Sequence, residues 1–142
     1  MWLTNRPAPL RDGIADEYWR KSAIGKLVIQ KCADCSSYIF PPRVMCPTCW
    51  SSGTLDWAEV SGDGVVHAFS IVNRPPFPEF NEGQPYVVAL VELAEGVVMM
   101  SNVVGCEPSE VTIGMPVGIA FDELADGALP VFVPSPSTGR RE

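Results

Sequence analysis

The chain has 142 residues, 46% of them apolar, and a formal charge of −7. That is enough for one ordinary domain, or one domain with a small appendage, and it excludes a wholly disordered chain. The charge is divided: residues 1–50 carry seven Lys/Arg against four Asp/Glu (+3), whereas residues 51–142 carry three, Arg74, Arg140 and Arg141, against thirteen (−10).

The N-terminal stretch MWLTNRPAPLRDG has Arg6, Pro7 and Pro9 where a secretory leader needs an unbroken apolar run. The most apolar stretch, Tyr86 to Met100, is interrupted by Glu92, Glu95 and Gly96, so no membrane span is expected. A soluble, cytoplasmic protein follows. Asp12 and Gly13 then introduce a segment with Ile14, Tyr18 and Trp19 on one helical face, early acids Asp16 and Glu17, later bases Arg20 and Lys21, and a stop at Gly25. One short amphipathic helix is expected over 13–23. It closes an N-terminal segment, 1–25.

KLVIQ reads as a strand leading into KCADCSSYIFPPRVMCPTCW, with Pro41 and Pro42 turning the chain. Cys32, Cys35, Cys46 and Cys49 form two Cys-x2-Cys knuckles ten residues apart. A tetrahedral zinc ion needs four deprotonated soft ligands at about 2.3 Å, and two knuckles facing one another across a hairpin supply them. The expected module, 26–54, is a zinc ribbon holding one structural zinc per chain. Spacing alone does not select zinc over iron. Disulfides need an oxidising compartment, for which nothing in the sequence speaks. A closed four-thiolate shell leaves no position at which to activate water. The residue after the second cysteine of a knuckle is often glycine, which accepts a positive φ cheaply; here those places hold Ser36 and Trp50.

From Leu55 the pattern becomes short β runs at spacings of about ten residues: LDWAEV, VVHAFSIV, YVVALVEL, VVMMSNV, PVGIAF and LPVFV. Five or six such strands predict a small antiparallel barrel or sandwich over 55–134. The SGDG turn joins the first two runs, and EPSEV is expected to form one helical turn. NRPPFPEFNEGQP, residues 73–85, is a proline-stiffened connection. With Arg74, Phe77, Phe80 and Tyr86 it is a candidate partner or acyl-chain contact, or else a loop folded over its own barrel mouth. Lys26, Lys31 and Arg43 cluster around the ribbon, where they could meet phosphates or simply solubilise it. The tail, 135–142, lacks apolar anchors and is expected to be disordered.

The order GKLVIQKCADC, FPPRVMCPTCW, LDWAEVSGDGVVHAFSIVNRPPF, QPYVVALVEL and IGMPVGIAF resembles an acyl-CoA-associated family built from an N-terminal helix, a rubredoxin-like zinc ribbon and a C-terminal OB-fold. The likeness runs over residues 13–134. It implies a mainly β chain with a five- to six-stranded OB-fold barrel. It also implies a non-catalytic, bridging subunit of a hetero-oligomer with a thiolase-superfamily enzyme. That subunit would help accommodate an acyl-CoA in carbon–carbon bond cleavage or formation, as in steroid or other lipid breakdown.

No catalytic residue is assigned. His67 is a lone strand histidine, Cys106 has no activating histidine, and Glu92 with Glu95, like Asp122 with Glu123, reads as a solvated pair. The rival reading is a single-stranded nucleic-acid-binding ribbon and OB module. It needs a basic track, and the barrel segment carries −10 with Arg74 as its one base before the tail.

Overall fold

The structure is a computed structural model and describes residues 13–74, 85–124 and 127–135. The chain enters through a 3-10 turn, Gly13–Ala15, and a helix α1, Asp16–Ala23. Glu17 reaches Arg20 at 2.7 Å and Lys21 at 3.6 Å along the helix surface, which supports it only slightly. Its end is better defined. Gly25 sits at φ 80°, its N–H donates to Ser22 O and the Lys26 N–H to Lys21 O. These bonds satisfy two of the last carbonyls, and the left-handed residue is one that glycine holds without penalty.

The first strand therefore starts later than the sequence suggests. Lys26 is engaged in closing the helix, and β1 runs Val28–Cys32. β1 is the centre of a three-stranded sheet in which it pairs antiparallel with β2, Tyr38–Ile39, and with β3, Leu55–Glu59. Here the structure differs from the reading of LDWAEV as the first barrel strand. Five registered pairs, from Val28↔Glu59 to Cys32↔Leu55, hold β3 to the ribbon. An amphipathic strand of five residues suits either sheet, and only the pairing partner decides.

The barrel is closed by five strands: β4 Asp63–Val72, β5 Tyr86–Leu93, β6 Val98–Val103, β7 Pro116–Leu124 and β8 Gly127–Pro134. They follow the order β4-β5-β6-β8-β7, with β7 returning to β4. One parallel contact, Val103↔Phe132, joins β6 to β8 and the remaining pairs are antiparallel, the five-stranded Greek-key closure of an OB-fold. The alternation is plainest in β5, where Val87, Ala89, Val91 and Leu93 are buried. Between β6 and β7, Pro108–Glu110 forms the helical turn expected for EPSEV, closed by reciprocal bonds between Glu107 and Glu110. In β4 the register shifts between Val66 and Ala68. His67 stands at this bulge and is exposed.

One core joins the modules. Tyr18 of the helix and Leu27 and Ile29 of the ribbon pack in the same buried cluster as Val66, Val91, Met99, Val117 and Phe132 of the barrel. A second, small cluster surrounds the cysteines. Gly62, between β3 and β4, is buried at φ 83°, and a Cβ there would lie 2.7 Å from Ile119 Cβ. The close approach of the turn to β7 thus needs the bare backbone. Gly62→Ala is expected to destabilise the chain by about 1–3 kcal/mol through overpacking, read as a lower denaturation midpoint with an unchanged slope.

Candidate metal centre and contact surface

The two knuckles repeat one backbone pattern. In the first, the Cys32 N–H donates to Ser37 O and the Ser36 N–H to Cys32 O; in the second, Cys46 donates to Ser51 O and Trp50 to Cys46 O, all at 2.8–3.0 Å. Ser36 and Trp50, the places where glycine is usual, take φ 65° and 67°. The turn geometry overrides the side-chain preference at both sites. The knuckles are tied together by Ser51 Oγ, which donates to Asp34 Oδ2 at 2.8 Å.

The four sulfurs converge as a result. Cys32 Sγ lies 3.7 Å from Cys49 Sγ and Cys35 Sγ 3.6 Å from Cys46 Sγ, and all four lie within 4.8 Å of one another. Metal–sulfur bonds of about 2.3 Å set tetrahedral edges of about 3.8 Å, so the donors fit one ion. Cys32 and Cys46 are fully buried. Hydroxyls of Thr54, Ser37 and Ser51 stand 3.4, 3.4 and 3.3 Å from the sulfurs of Cys32, Cys35 and Cys49. The Thr54 hydroxyl, then the Cys35 amide, bring the Cys32 thiol down to about 6. The Cys49 amide is the main cause of the lowered Cys46 value. At Cys49 the Ser51 bonds favour the thiolate, but burial and the sulfurs of Cys35 and Cys32 outweigh them and the pKa is raised. The hydrogen bonds at Cys32 and Cys46 thus favour the thiolate that a cation needs, whereas Cys49 holds its proton more tightly and gives it up as the ion binds.

The other sequence candidates divide. Tyr86, first residue of β5, is buried and lines a groove of about 390 Å³ with Tyr18, Trp19, Phe40, Met100 and Leu129. The groove runs along the seam between helix, ribbon and barrel, and its aromatic wall includes a 4.9 Å edge contact of Tyr18 with Trp19 and a 5.7 Å contact of Tyr18 with Phe40. Burial pushes the Tyr18 phenol upward. The helix therefore docks on its own chain, an outcome the sequence left open. Arg43 and Arg74 are exposed and do not line this groove. Phe77 and Phe80 lie outside the described residues, as does the tail from 136 onward. Lys31 stands 5.2 Å from the Tyr38 ring centroid. Cys106 is half-buried, and burial followed by Glu110 and Glu107 raises its pKa, which disfavours the nucleophilic thiolate.

Sequence reasoning missed an apolar tip on the second knuckle. Val44 is 73% exposed, Met45 43% and Trp50 74%. The signal was present in Trp50, a large aromatic at a position that calls for glycine.

Family models match residues 19–56 as "ChsH2, rubredoxin-like zinc ribbon domain" and residues 57–122 as "ChsH2, C-terminal OB-fold domain". A solved chain of an "Ltp2-ChsH2(DUF35) aldolase" is 41% identical, with a TM-score of 0.77 over 91% of this chain and 98% of that one. The chain belongs to the ChsH2/DUF35 family. A "DUF35 domain-containing scaffold protein" of Methanothermobacter thermautotrophicus is 40% identical over 68% of this chain and 71% of its own length. A "Probable enoyl-CoA hydratase alpha subunit" of Thermomonospora curvata is 42% identical over 94% of this chain. The chain spans only 40% of that subunit's length. The four thiols accordingly form the metal site of a zinc ribbon, and the ion's part is structural. Among the described residues no helix is long and apolar enough to cross a membrane.

Elemental analysis of the purified chain is expected to give one zinc. Cys49 holds its proton above the ordinary thiol range, so zinc uptake by the metal-free chain should weaken as pH falls below that range, and the Cys32 thiol, lowered to about 6, adds its own proton so that the slope steepens below about 6. A pH-independent uptake would contradict this ligand set. Trp50→Gly relieves a positive φ of 67° and removes an exposed side chain. The variant should be as stable as the parent or more stable, by up to about 1 kcal/mol, measured by thermal denaturation of the zinc form.

Proposed function

We propose that this chain is a non-catalytic accessory subunit that binds a thiolase-superfamily enzyme and helps accommodate an acyl-CoA during carbon–carbon bond cleavage or formation, in the cytoplasm. One observation carries the reading. The chain is similar over 91% of its length to a chain of the "Ltp2-ChsH2(DUF35) aldolase", a name that joins two proteins. The scaffold name of the archaeal relative points the same way. The hydratase name belongs to a protein of which this chain matches two-fifths, so hydratase activity does not pass to it.

The surface chemistry supports an adaptor. The exposed Trp50, Val44 and Met45 stand close in sequence to the exposed cation Arg43. Tryptophan and arginine are the side chains that most often dominate an interface. Tyr86 and the groove offer a further apolar wall to an acyl chain or to the partner. We assign Arg74, with Phe77 and Phe80 on the same stretch of sequence, to the partner or acyl-CoA contacts on sequence grounds alone. A carbon–carbon bond reaction would be carried out by the partner, whose active site this chain completes. Zinc, held by four thiolates, would keep the ribbon folded and leave no coordination position for substrate.

The test is copurification from a native extract. A thiolase-superfamily enzyme is expected to come down with the tagged chain, and Trp50→Gly and Arg43→Ala should each weaken that complex by about tenfold or more while the barrel melts normally. Repeated recovery of no acyl-CoA enzyme would overturn the reading. Recovery of nucleic acid at ordinary salt would instead favour a single-strand-binding module, against the −10 carried by residues 51–142.

A further inference from the structure

Gln30 is a buried polar side chain, 5% exposed, in the middle of β1. It stands in register with Ile39 of β2 on one side and Trp57 of β3 on the other. Its side-chain amide does something separate. Gln30 Nε2 donates to Arg43 O at 3.0 Å, and the Arg43 N–H donates to Gln30 Oε1 at 2.7 Å. Donor and acceptor of one planar amide thus meet the acceptor and donor of one residue's main chain. This is the pair of bonds that an antiparallel strand neighbour would supply. The uncharged amides of Asn and Gln carry both groups side by side on one plane, and Gln has the longer reach.

Arg43 lies three residues before Cys46 and directly after Pro41 and Pro42. Proline has no N–H with which to join a ladder, so the segment that brings the second knuckle back to the first is poorly supplied with main-chain donors. The geometry points to Gln30 as a positioning residue for the metal: its amide stands in for a missing strand, fixes the main chain ahead of Cys46, and so holds the second pair of thiols at bonding distance from the first. The same clamp sets the origin of the Arg43 side chain. Gln30 touches neither the sulfurs nor the ion; it acts through the segment it holds. This role is independent of which partner the chain serves.

The test uses the full-length zinc-loaded chain and two variants. Gln30→Leu keeps the bulk and removes both bonds. Gln30→Glu, once its carboxyl is ionised, keeps an acceptor for the Arg43 N–H and has no donor for the Arg43 carbonyl, so its release is followed at about pH 9, where burial no longer holds the proton on. Zinc release into excess chelator is followed with a chromogenic indicator, and barrel unfolding is followed separately by thermal denaturation. Release from Gln30→Leu is expected to be about tenfold faster or more, the consequence of removing both bonds to the part-buried Arg43 peptide, with Gln30→Glu intermediate and the barrel transition shifted far less than zinc release. Cobalt substituted into the ribbon should show weakened thiolate bands in the same order. Wild-type release from Gln30→Leu would overturn the assignment. If that variant does not fold, Gln30→Glu decides alone: faster release supports the role, and unchanged release removes it.

Discussion

The ribbon cannot bury itself. Among the described residues the buried cluster around the four sulfurs holds only Cys32, Ile39 and Cys46, with Cys35, Cys49 and Leu55 against it. An apolar core of that size does not offset the conformational entropy of about thirty ordered residues. A structural zinc ion, with apparent binding of about 10–16 kcal/mol in small ribbons and fingers, can. The 3.6–3.7 Å spacing of the sulfur pairs is therefore the constraint on which the knuckles, the short β2 and the position of Arg43 all depend.

That constraint reaches the barrel through β1. Ile29 belongs to the large shared core, and Cys32, three residues later on the same strand, belongs to the sulfur cluster. β3 adds five registered pairs on the other edge and then turns at Gly62 directly into β4. The ribbon is consequently seated on the OB barrel as part of one packed body. Helix α1 fills the remaining side through Tyr18. The aromatic groove occurs where these three pieces meet because Trp19, Phe40 and the outer faces of β5 and β6 each bring apolar surface that the shared core does not consume.

Much of this was legible because it is written in local spacing. The four cysteines, the helix stop at Gly25, the eight-residue run of β5 and the turn at Pro108 follow from periodicity and turn chemistry alone. Leu55–Glu59 was not, since a five-residue amphipathic run carries no information about which neighbour it pairs with. The groove was not, since Tyr18, Phe40, Met100 and Leu129 are far apart in sequence and meet only through the packing of helix on barrel. Gln30 escaped notice for a simpler reason. A glutamine on a strand reads as a solvent-facing residue, and its burial is decided by a segment thirteen positions away.

The two knuckles provide a comparison within one molecule. Their main-chain bonds match, their residues at the turn share φ values of 65° and 67°, and their sulfurs meet equivalent seryl hydroxyls. The fold asks for the same thing in both, namely a left-handed residue that a glycine would supply at least cost. One knuckle answers with Ser36, a small polar side chain at a modest conformational cost. The other holds Trp50, which adds a large apolar side chain, 74% exposed, to the same unfavourable backbone. Neither burial nor hydrogen bonding within the described residues accounts for the indole, and the adaptor role proposed above supplies a reason for it, as a side chain presented to the partner. An adaptor whose ribbon is fixed on its barrel can use such a side chain as an anchor, because the ordering it requires is already met by the metal.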